Sequence, residues 1–293
     1  MELLTAIVPV GPNHLNHNRI STWADSANQF SDLLKIIIVE DRGFDKNELV
    51  VGRNSEYKIK NLISVIGHFG SPGGARNAGL GLSKTPWTCF WDSDDQPDID
   101  EFFNLLKKDD VGKFDILIGR FVRVSSKNIV LRTEQKIQES PSSFASDPGI
   151  WRMIFKTKVI DGLKFEDFRM AEDQLFLLNL NFPEKNILVE KNLVYNYFVE
   201  DPAQLSNNDQ ALSNIPKVID KILIDVHSGI IKNSKFLSFV MARLHLSGFK
   251  NVALNEKLRL VKRFIFTTYV LGPYTVWFLL ECVRVVFKKF KLA

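Results

Sequence analysis

The sequence predicts an α/β fold with a mostly parallel sheet and a helical C-terminal extension. Three short apolar runs, Thr5 to Val10, Leu34 to Val39 and Trp87 to Trp91, have the length and the β-branched composition of strands buried on both faces. Between the first two runs, Ile20 to Leu34 carries apolar residues at helical spacing. A strand, a crossover helix and a parallel strand therefore open the chain.

The other predicted elements follow in chain order. The polar stretch Ser125 to Ser146 is either a hairpin or a loop over the site, and the pattern beyond Ser213 is helical. We predict strands at Leu62 to Ile66 and Gly149 to Lys156, and helices at Ala75 to Leu82, Asp98 to Leu106, Glu172 to Leu180, Ile215 to Ile231 and Phe236 to Phe249.

The composition bounds the classes of function. The 293 residues are 45% hydrophobic, as expected for a globular protein, and the net charge of +4 predicts no nucleic-acid binding. The two cysteines, Cys89 and Cys282, have no zinc-like spacing, which favours a reducing cytoplasm. The first ten residues lack the features of a secretory signal and are interpreted as the first strand.

Basic charge is concentrated at the C-terminus. From Asn251 onward the sequence has eight basic and two acidic residues. The uncharged run from Phe264 to Leu280 is interrupted by Gly272-Pro273 and is shorter than the roughly 20 residues of a membrane span. The tail is therefore either an interfacial helix on an anionic membrane surface or an ordinary helix packed on protein. The sequence leaves both interpretations open.

Acidic residues follow two of the predicted strands. Glu40-Asp41 ends the second strand, and Asp92-Ser93-Asp94-Asp95 ends the third. Ligands of open α/β sheets bind at the carboxyl ends of strands. Asp92 and Asp94 would project to one side, where two carboxylates favour a divalent cation shared with substrate phosphates. The alternative is an acidic turn that caps the next helix. The cluster alone does not separate the two.

Six segments in a fixed order resemble glycosyltransferase family 2, in its capsule and lipopolysaccharide branch. They cover roughly the first 200 residues and include the family's DxD motif at Asp92 to Asp94 and its Glu-Asp-x-x-Phe motif. The segments are Thr5 to Val10, Ile36 to Gly43, Gly73 to Gly79, Trp87 to Asp95, Trp151 to Lys156 and Ala171 to Phe176.

The resemblance implies a GT-A fold, a nucleoside-diphosphate sugar donor, Mn²⁺ or Mg²⁺, and inversion at the anomeric carbon. We expect residues 1–210 to form the GT-A domain, with a nucleotide-sugar half at 1–124 and an acceptor half at 125–210. Residues 211–293 would form a helical region with a basic amphipathic tail.

The resemblance also assigns the donor pocket. Asp41 would accept hydrogen bonds from the donor base, usually uracil, beside Glu40, with Pro9 and Val10 lining the same pocket. Arg76, after a glycine-rich turn, would lie near the nucleotide or the diphosphate.

The remaining roles concern the metal and the chemistry. Asp94 would bind the metal most directly and Asp92 the ribose or the metal, with Ser93 between them in the donor site. Inversion needs one base on the acceptor hydroxyl. Asp173 is predicted to be that base, with Glu172 as the second candidate.

Two features depart from the family pattern. The family commonly has two aspartates followed by Gly-Ser after the second strand, whereas Glu40-Asp41-Arg42-Gly43 places a cation beside the pocket, and we expect Arg42 to influence donor choice. His14 and His17 are three residues apart, but no further ligand lies near them in the sequence, so we interpret them as loop residues.

The predicted function is transfer of a sugar, most simply from a UDP-sugar, to a glycan or lipid-linked glycan acceptor of a bacterial surface. The predicted location is the cytoplasm, peripheral to the inner face of the membrane. Two alternatives remain: a nucleotidyltransferase on a similar sheet, which would usually carry a basic triphosphate loop near the first strand, and a non-catalytic relative that binds glycan or membrane.

Overall fold

The computed structural model describes residues 2–15, 18–42, 50–52, 55–125, 129–133, 144–145, 148–199, 214–251 and 254–290. The chain divides into two compact units that interleave along the sequence. The sheet unit comprises Met1–Ile137, Gly149–Asp167 and Lys185–Gln204, and the helical unit comprises Gln138–Pro148, Phe168–Glu184 and Leu205–Ala293. The predicted boundary at residue 210, between the GT-A domain and the helical region, stays a prediction. The segment Phe168–Glu184, which contains Asp173, belongs to the helical unit.

The described part of the sheet unit contains one ten-stranded sheet, in the order β3-β4-β2-β1-β5-β9-β7-β10-β6, with β8 paired to β7. The strands are β1 Leu4–Val10, β2 Leu34–Asp41, β3 Val50–Gly52, β4 Leu62–Gly67, β5 Trp87–Phe90, β6 Gln96–Pro97, β7 Ile116–Ser125, β8 Val130–Thr133, β9 Met153–Lys156 and β10 Ile187–Val199.

The central strands are parallel, as the buried apolar runs predict. β1 is buried along its whole length, and it pairs in parallel with β2 on one side and with β5 on the other. β4 pairs in parallel with the outer side of β2. Because these strands run in one direction, their carboxyl ends meet at one edge of the sheet, where the predicted acidic residues lie.

The described residues of the sheet unit contain four α-helices: α1 Ile20–Gln29, α2 Pro72–Leu80, α3 Ile99–Leu106 and α4 Thr157–Ile160. The predicted end of α1 at Leu34 is wrong. The amide of Leu34 donates to the carbonyl of Phe30 in a turn, and Leu34 then starts β2.

Helix α2 lies so close to β1 that a Cβ at Gly79 would stand 2.5 Å from Ile7 Cγ2. A glycine is therefore required at this contact.

The second half of the sheet was predicted only in part. Of the predicted strand Gly149 to Lys156, only β9 is extended, because Ile150–Arg152 forms a short 3-10 turn after Gly149 at φ +50°. Strand β10 was missed: its polar centre and irregular register with β7 interrupt the apolar alternation. β8 pairs antiparallel with β7, which supports the hairpin interpretation for residues 129–133. Most of the remaining polar stretch lies outside the described residues.

The helical unit contains α5 Glu172–Asn179, α6 Ile215–His227, α7 Lys235–Asn251, α8 Leu254–Leu271 and α9 Thr275–Phe290 among its described residues. Helix α6 ends before the predicted Ile231, because the chain turns at Gly229 with φ +75°. The basic and apolar tail, which was predicted as one segment, forms two helices, α8 and α9, separated by a short 3-10 turn at Gly272–Tyr274.

A buried histidine lies at the centre of this unit. His245 on α7 is fully buried, its Nε2 lies 2.9 Å from Thr267 Oγ1, and the rings of Phe264 and Phe278 pack edge-on against it. Burial, aided by the nearby Arg263 guanidinium, lowers the pKa of His245 to about 4. The imidazole is therefore neutral in the folded protein at neutral pH.

His245 should make the folded state sensitive to acid. Its pKa is depressed on folding, so below about pH 6.5 the unfolded chain binds a proton that the folded chain binds only near pH 4. Stability should fall as the pH drops through this window, by about 3 kcal/mol in all. Urea unfolding followed by circular dichroism between pH 4 and 7.5 measures the slope. His245→Gln should flatten it, and the exposed His227→Gln should not; equal slopes in both variants would contradict this assignment.

Candidate donor-binding site

The residues Asp92 to Asp95 form a turn at the carboxyl end of β5. The amide of Trp91 donates to the Ile7 carbonyl and extends the ladder with β1, and the Asp95 amide then donates to the Asp92 carbonyl. Asp92 and Asp94 are partly exposed, whereas Ser93 and Asp95 are buried. The two predicted metal carboxylates therefore alternate with buried neighbours, as expected for side chains that project to one side.

The turn does not cap the following helix. Asp98 has that role, because its side chain accepts a hydrogen bond from the Glu101 amide at 3.1 Å at the start of α3. The carboxylates of Asp92 and Asp94 are thus not used in capping α3. This removes the structural explanation that competed with a ligand site.

Strand β10 and the segment before α1 hold the turn in place. The Asp92 amide donates to the hydroxyl of the fully buried Tyr195 at 2.9 Å, and the Phe198 amide donates to Asp95 Oδ1 at 2.7 Å. The Ser93 carbonyl accepts from the Arg19 amide at 2.7 Å. Sequence reasoning missed Tyr195 because β10 itself was not predicted. Its signal was the alternation of Tyr195 with Tyr197 at the period of a strand.

Asp95 is a supporting residue of this turn. Burial raises the pKa of its carboxyl well above the usual range, and the Asp94 and Asp92 carboxylates raise it further. The hydrogen bonds from the Phe198 amide and the Tyr195 hydroxyl oppose that shift. Asp95 is only 1% exposed, so its side chain connects the turn to β10 and does not face solvent.

Arg76 lies against the acidic turn. It is 5% exposed on α2, its Nη2 donates to Asp92 Oδ1 at 2.8 Å, and its guanidinium lies over the Phe165 ring. The side chain was predicted to lie near the diphosphate; Asp92 is one of its partners in the structure, and the diphosphate contact stays a prediction. An ion pair of this kind fixes the orientation of the Asp92 carboxylate and offsets its charge.

The glycine-rich turn positions Arg76. Helix α2 begins at Pro72, three residues earlier than predicted, and the Ser71 hydroxyl caps it by accepting from the Gly74 amide at 3.1 Å. A Cβ at Gly74 would stand 2.5 Å from the Phe69 carbonyl oxygen, so only glycine fits there.

Glu40 and Asp41 lie at the end of β2, as predicted. Glu40 is fully buried, and its Oε2 accepts from Arg42 Nε at 2.7 Å. Burial, and after it the Glu40 carboxylate, raises the pKa of the Tyr57 phenol. Arg42, expected beside the donor pocket, therefore pairs with Glu40. This burial and pairing indicate a supporting role for Glu40, and its contact with a nucleotide stays a prediction.

Asp41 is held by the loop that follows β4. Its Oδ2 accepts from the Gly70 amide at 2.8 Å, and His68 Nδ1 lies 3.5 Å from Oδ1. Gly70 has φ +73°, a conformation that glycine adopts without strain. Sequence reasoning did not identify His68. The Asp41 carboxylate is thereby held at the edge of the sheet where β2 ends.

The structure brings the predicted donor residues of the sheet unit to one edge. Pro9 and Val10 are buried at the end of β1, and Val10 lies opposite Glu40 in the register with β2. Because β1 lies between β2 and β5, those two strands run about 10 Å apart, twice the spacing of neighbouring strands. A separation of this size lies within the reach of one nucleotide.

Glu172 and Asp173 occupy the first turn of α5 in the helical unit. Both are partly exposed, and Asp173 Oδ1 accepts from the Gln174 amide at 2.8 Å. Ala171, just before them, has φ +65°, a conformation that costs energy for a residue other than glycine. The predicted helix is confirmed, and the role of either carboxylate as a base stays a prediction.

The acidic turn fits a divalent ion that shares its ligands with a diphosphate. Within the described ranges, no group of three or more His, Cys, Asp or Glu side chains could hold a metal ion alone. Mg²⁺ is commonly held by one or two carboxylates with substrate phosphates and water. Asp92 and Asp94 are the residues that would supply such carboxylates here, and metal binding by them stays a prediction. His14 lies in a short turn, Pro12–His14, and His17 lies outside the described residues.

Two curated relatives resemble this chain. Poly(ribitol-phosphate) beta-N-acetylglucosaminyltransferase TarP of Staphylococcus aureus is 26% identical over 223 residues, which are 71% of this chain and 66% of TarP. The succinoglycan biosynthesis protein ExoO of Rhizobium meliloti is 25% identical over 186 residues, 57% of this chain and 53% of ExoO. The matches thus span between half and two thirds of these relatives.

Solved structures and a family profile agree on the fold class and the family. The crystal structure of S. aureus TarS 1-349 in complex with UDP-GlcNAc matches with a TM-score of 0.70 at 17% identity, over 95% of this chain and 84% of that one. The predicted GT-A fold with a helical C-terminal extension is confirmed. The profile "Glycosyl transferase family 2" matches residues 20–177, more than half of the chain. The chain belongs to glycosyl transferase family 2.

Proposed function

We propose that this protein is an inverting glycosyltransferase that transfers a sugar from a UDP-sugar to a surface-glycan acceptor, with a GDP-sugar as the less favoured donor. The observation that carries the proposal is the acidic turn at the carboxyl ends of parallel strands. There, Asp92 and Asp94 are partly exposed, Arg76 orients Asp92, and Asp41 lies at the end of β2, on the other side of β1. We propose the cytoplasm, at the inner face of the membrane, as its place of action.

The relatives support the donor and the acceptor class. TarP is named as a transferase of N-acetylglucosamine to poly(ribitol-phosphate), and TarS 1-349 was crystallised with UDP-GlcNAc. We propose that the base of the donor contacts Asp41, with Pro9 and Val10 beneath it. The donor diphosphate would then extend along the edge of the sheet towards Asp94.

The side chains divide the chemistry between them. Asp94, with Asp92, would hold Mn²⁺ or Mg²⁺, and the bound ion would stabilise the negative charge that builds on the leaving diphosphate. Arg76 keeps Asp92 oriented before the donor arrives. Asp173 would accept the proton of the acceptor hydroxyl as that oxygen attacks the anomeric carbon opposite the leaving group, which inverts the configuration.

A thermal-shift panel tests this proposal. A ligand that binds only the folded protein raises the free energy of unfolding, by about 2.7 kcal/mol at a concentration 100 times its Kd. The melting temperature rises as a result. We expect a UDP-sugar to give a larger shift with Mn²⁺ or Mg²⁺ than with EDTA. Uridine without a diphosphate serves as the control and should show no dependence on metal. No metal-dependent shift with any UDP- or GDP-sugar would overturn the proposal.

A further inference from the structure

The last two helices expose an apolar surface that the proposed function does not use. By length and composition only, the segment Arg259–Phe287 could cross a membrane, and 22% of its most apolar 18 residues are buried. Eleven of its large hydrophobic side chains are exposed: Val261, Ile265, Phe266, Tyr269, Val276, Trp277, Leu279, Leu280, Val283, Val286 and Phe287.

The segment folds back on itself and is not one continuous span. The rings of Phe264 and Phe278 lie 4.8 Å apart, whereas 14 residues of a straight helix would separate them by about 21 Å. The Thr275 hydroxyl also donates to the Thr268 carbonyl across the break. Helices α8 and α9 therefore form a hairpin, which we call the C-terminal hairpin, residues 254–290.

One side of the C-terminal hairpin packs on α7. Gly248 of α7 lies close to Leu260 of α8, and His245 contacts both helices. Farther along α7, Arg243 forms an ion pair with Glu281 of α9. Helix α8 thus runs antiparallel to α7, and α9 runs parallel to it.

The exposed apolar residues lie on the opposite side of each helix from these contacts. On α8 they recur as Val261, Ile265 and Tyr269, and on α9 as Val276, Leu280, Val283 and Phe287, which is the spacing of one helix face. No charged residue occurs between Arg263 and Glu281. The described protein leaves this face to solvent, and patches of this kind mark binding surfaces.

Positive charge borders this face. Because the hairpin reverses direction, the basic start of α8, with Lys257, Arg259 and Lys262, lies at the same end as the last turns of α9, with Arg284. Lys235 lies over the Trp277 ring at the other end, 3.6 Å from its centroid. The one acidic side chain described on α9, Glu281, is 2% exposed and is paired with Arg243 and Arg284. Among the described side chains of these two helices, the accessible charge around the apolar face is therefore positive.

We propose that the outer face of the C-terminal hairpin lies in the interface of an anionic lipid bilayer. Exposed Leu, Phe, Trp and Tyr side chains would enter the boundary of the acyl chains, and the surrounding lysine and arginine side chains would contact lipid phosphates. The combination of an uncharged face with a basic border fits this occupant better than a second copy of the chain, because two basic borders would repel each other. The proposal rests on this surface and not on the proposed function.

Vesicle sedimentation with the full chain tests the proposal. Wild-type protein should sediment with vesicles of phosphatidylcholine and phosphatidylglycerol, and at least tenfold less with phosphatidylcholine alone or in 0.5 M salt. The triple variant Phe266→Ser, Leu280→Ser, Phe287→Ser should lose at least tenfold of the binding. The matched control is Ile224→Ser with Ile230→Ser, which removes two equally exposed apolar side chains elsewhere in the helical unit and should bind like wild type.

Two further measurements separate a loss of membrane binding from misfolding and from self-association. Circular dichroism should show the same fold and the same unfolding midpoint in both variants, since all five side chains are exposed. Analytical ultracentrifugation without lipid tests a second copy as the occupant. Wild-type protein that stays in the supernatant, a triple variant that sediments like wild type, or an oligomer that only the triple variant dissociates would each overturn the proposal. Metal-dependent donor binding should be unchanged in the triple variant.

Discussion

Asp94→Asn is expected to lower kcat/KM for sugar transfer by about a thousandfold and to remove the metal-dependent thermal shift with a UDP-sugar. Asp94 is a partly exposed carboxylate of the acidic turn, and we predict that it holds the cation against the diphosphate. Asparagine has nearly the same shape but no charge. The loss would therefore report on the cation and not on the fold of the turn.

The matched control is Asp98→Asn. Asp98 lies on the same segment, it is exposed, and it caps α3, a position where asparagine serves as well as aspartate. This variant should keep both its transfer rate and its metal-dependent donor binding. If Asp98→Asn lost as much activity as Asp94→Asn, both losses would come from a change in the charge or the stability of the whole segment. Assignment of Asp94 as the metal ligand would then fail.

Asp173→Asn is expected to lower kcat by about 10²–10⁴-fold while donor binding stays unchanged. A base that acts on the acceptor hydroxyl contributes to the chemical step and makes no contact with the nucleotide. Initial rates at saturating donor, together with the thermal shift for the same donor, separate turnover from binding.

Glu172→Gln is the comparison for this second prediction. Both carboxylates are in the first turn of α5, and both are partly exposed, so the two variants change the charge of that turn equally. We expect the smaller loss of kcat for Glu172→Gln. The opposite order would transfer the role of base to Glu172. Loss of donor binding in Asp173→Asn to the same degree as in Asp94→Asn would refute the division of roles.

The sequence was sufficient for the parts of the fold that repeat a simple pattern. β1, β2 and β5 are continuous apolar runs, and such runs predict parallel strands whose ends share one edge. The alternation of partly exposed Asp92 and Asp94 with buried neighbours also followed from the two-residue period of extended chain. The order of the six family segments then predicted the GT-A fold.

Other parts depended on contacts between distant residues. β10 has a polar centre and an irregular register, and its role is visible only where Tyr195 meets the Asp92 amide, 103 residues away in the sequence. The ion pair between Arg76 and Asp92 likewise joins a helix and a turn that no local pattern connects. Arg42 pairs with Glu40, two residues before it, and its expected influence on donor choice stays a prediction.

The C-terminal helices show the same limit. Composition alone left an interfacial helix and a packed helix equally open. The structure contains features of both, because one side of the hairpin packs on α7 and the other side is exposed. Which side of an amphipathic helix is covered depends on tertiary neighbours, and periodicity cannot specify them.

The most direct test of the central claim is the coupling between Mn²⁺ and UDP at the acidic turn. Isothermal titration of Mn²⁺ into the wild-type protein should give an affinity at least tenfold higher with saturating UDP than without it, after correction for Mn²⁺ binding to free UDP. UDP affinity should rise by the same factor with Mn²⁺, because coupling of two ligands is reciprocal. Asp94→Asn should lose this coupling. Independent binding of Mn²⁺ and UDP to the wild-type protein would contradict a metal-bridged diphosphate at Asp92 to Asp95.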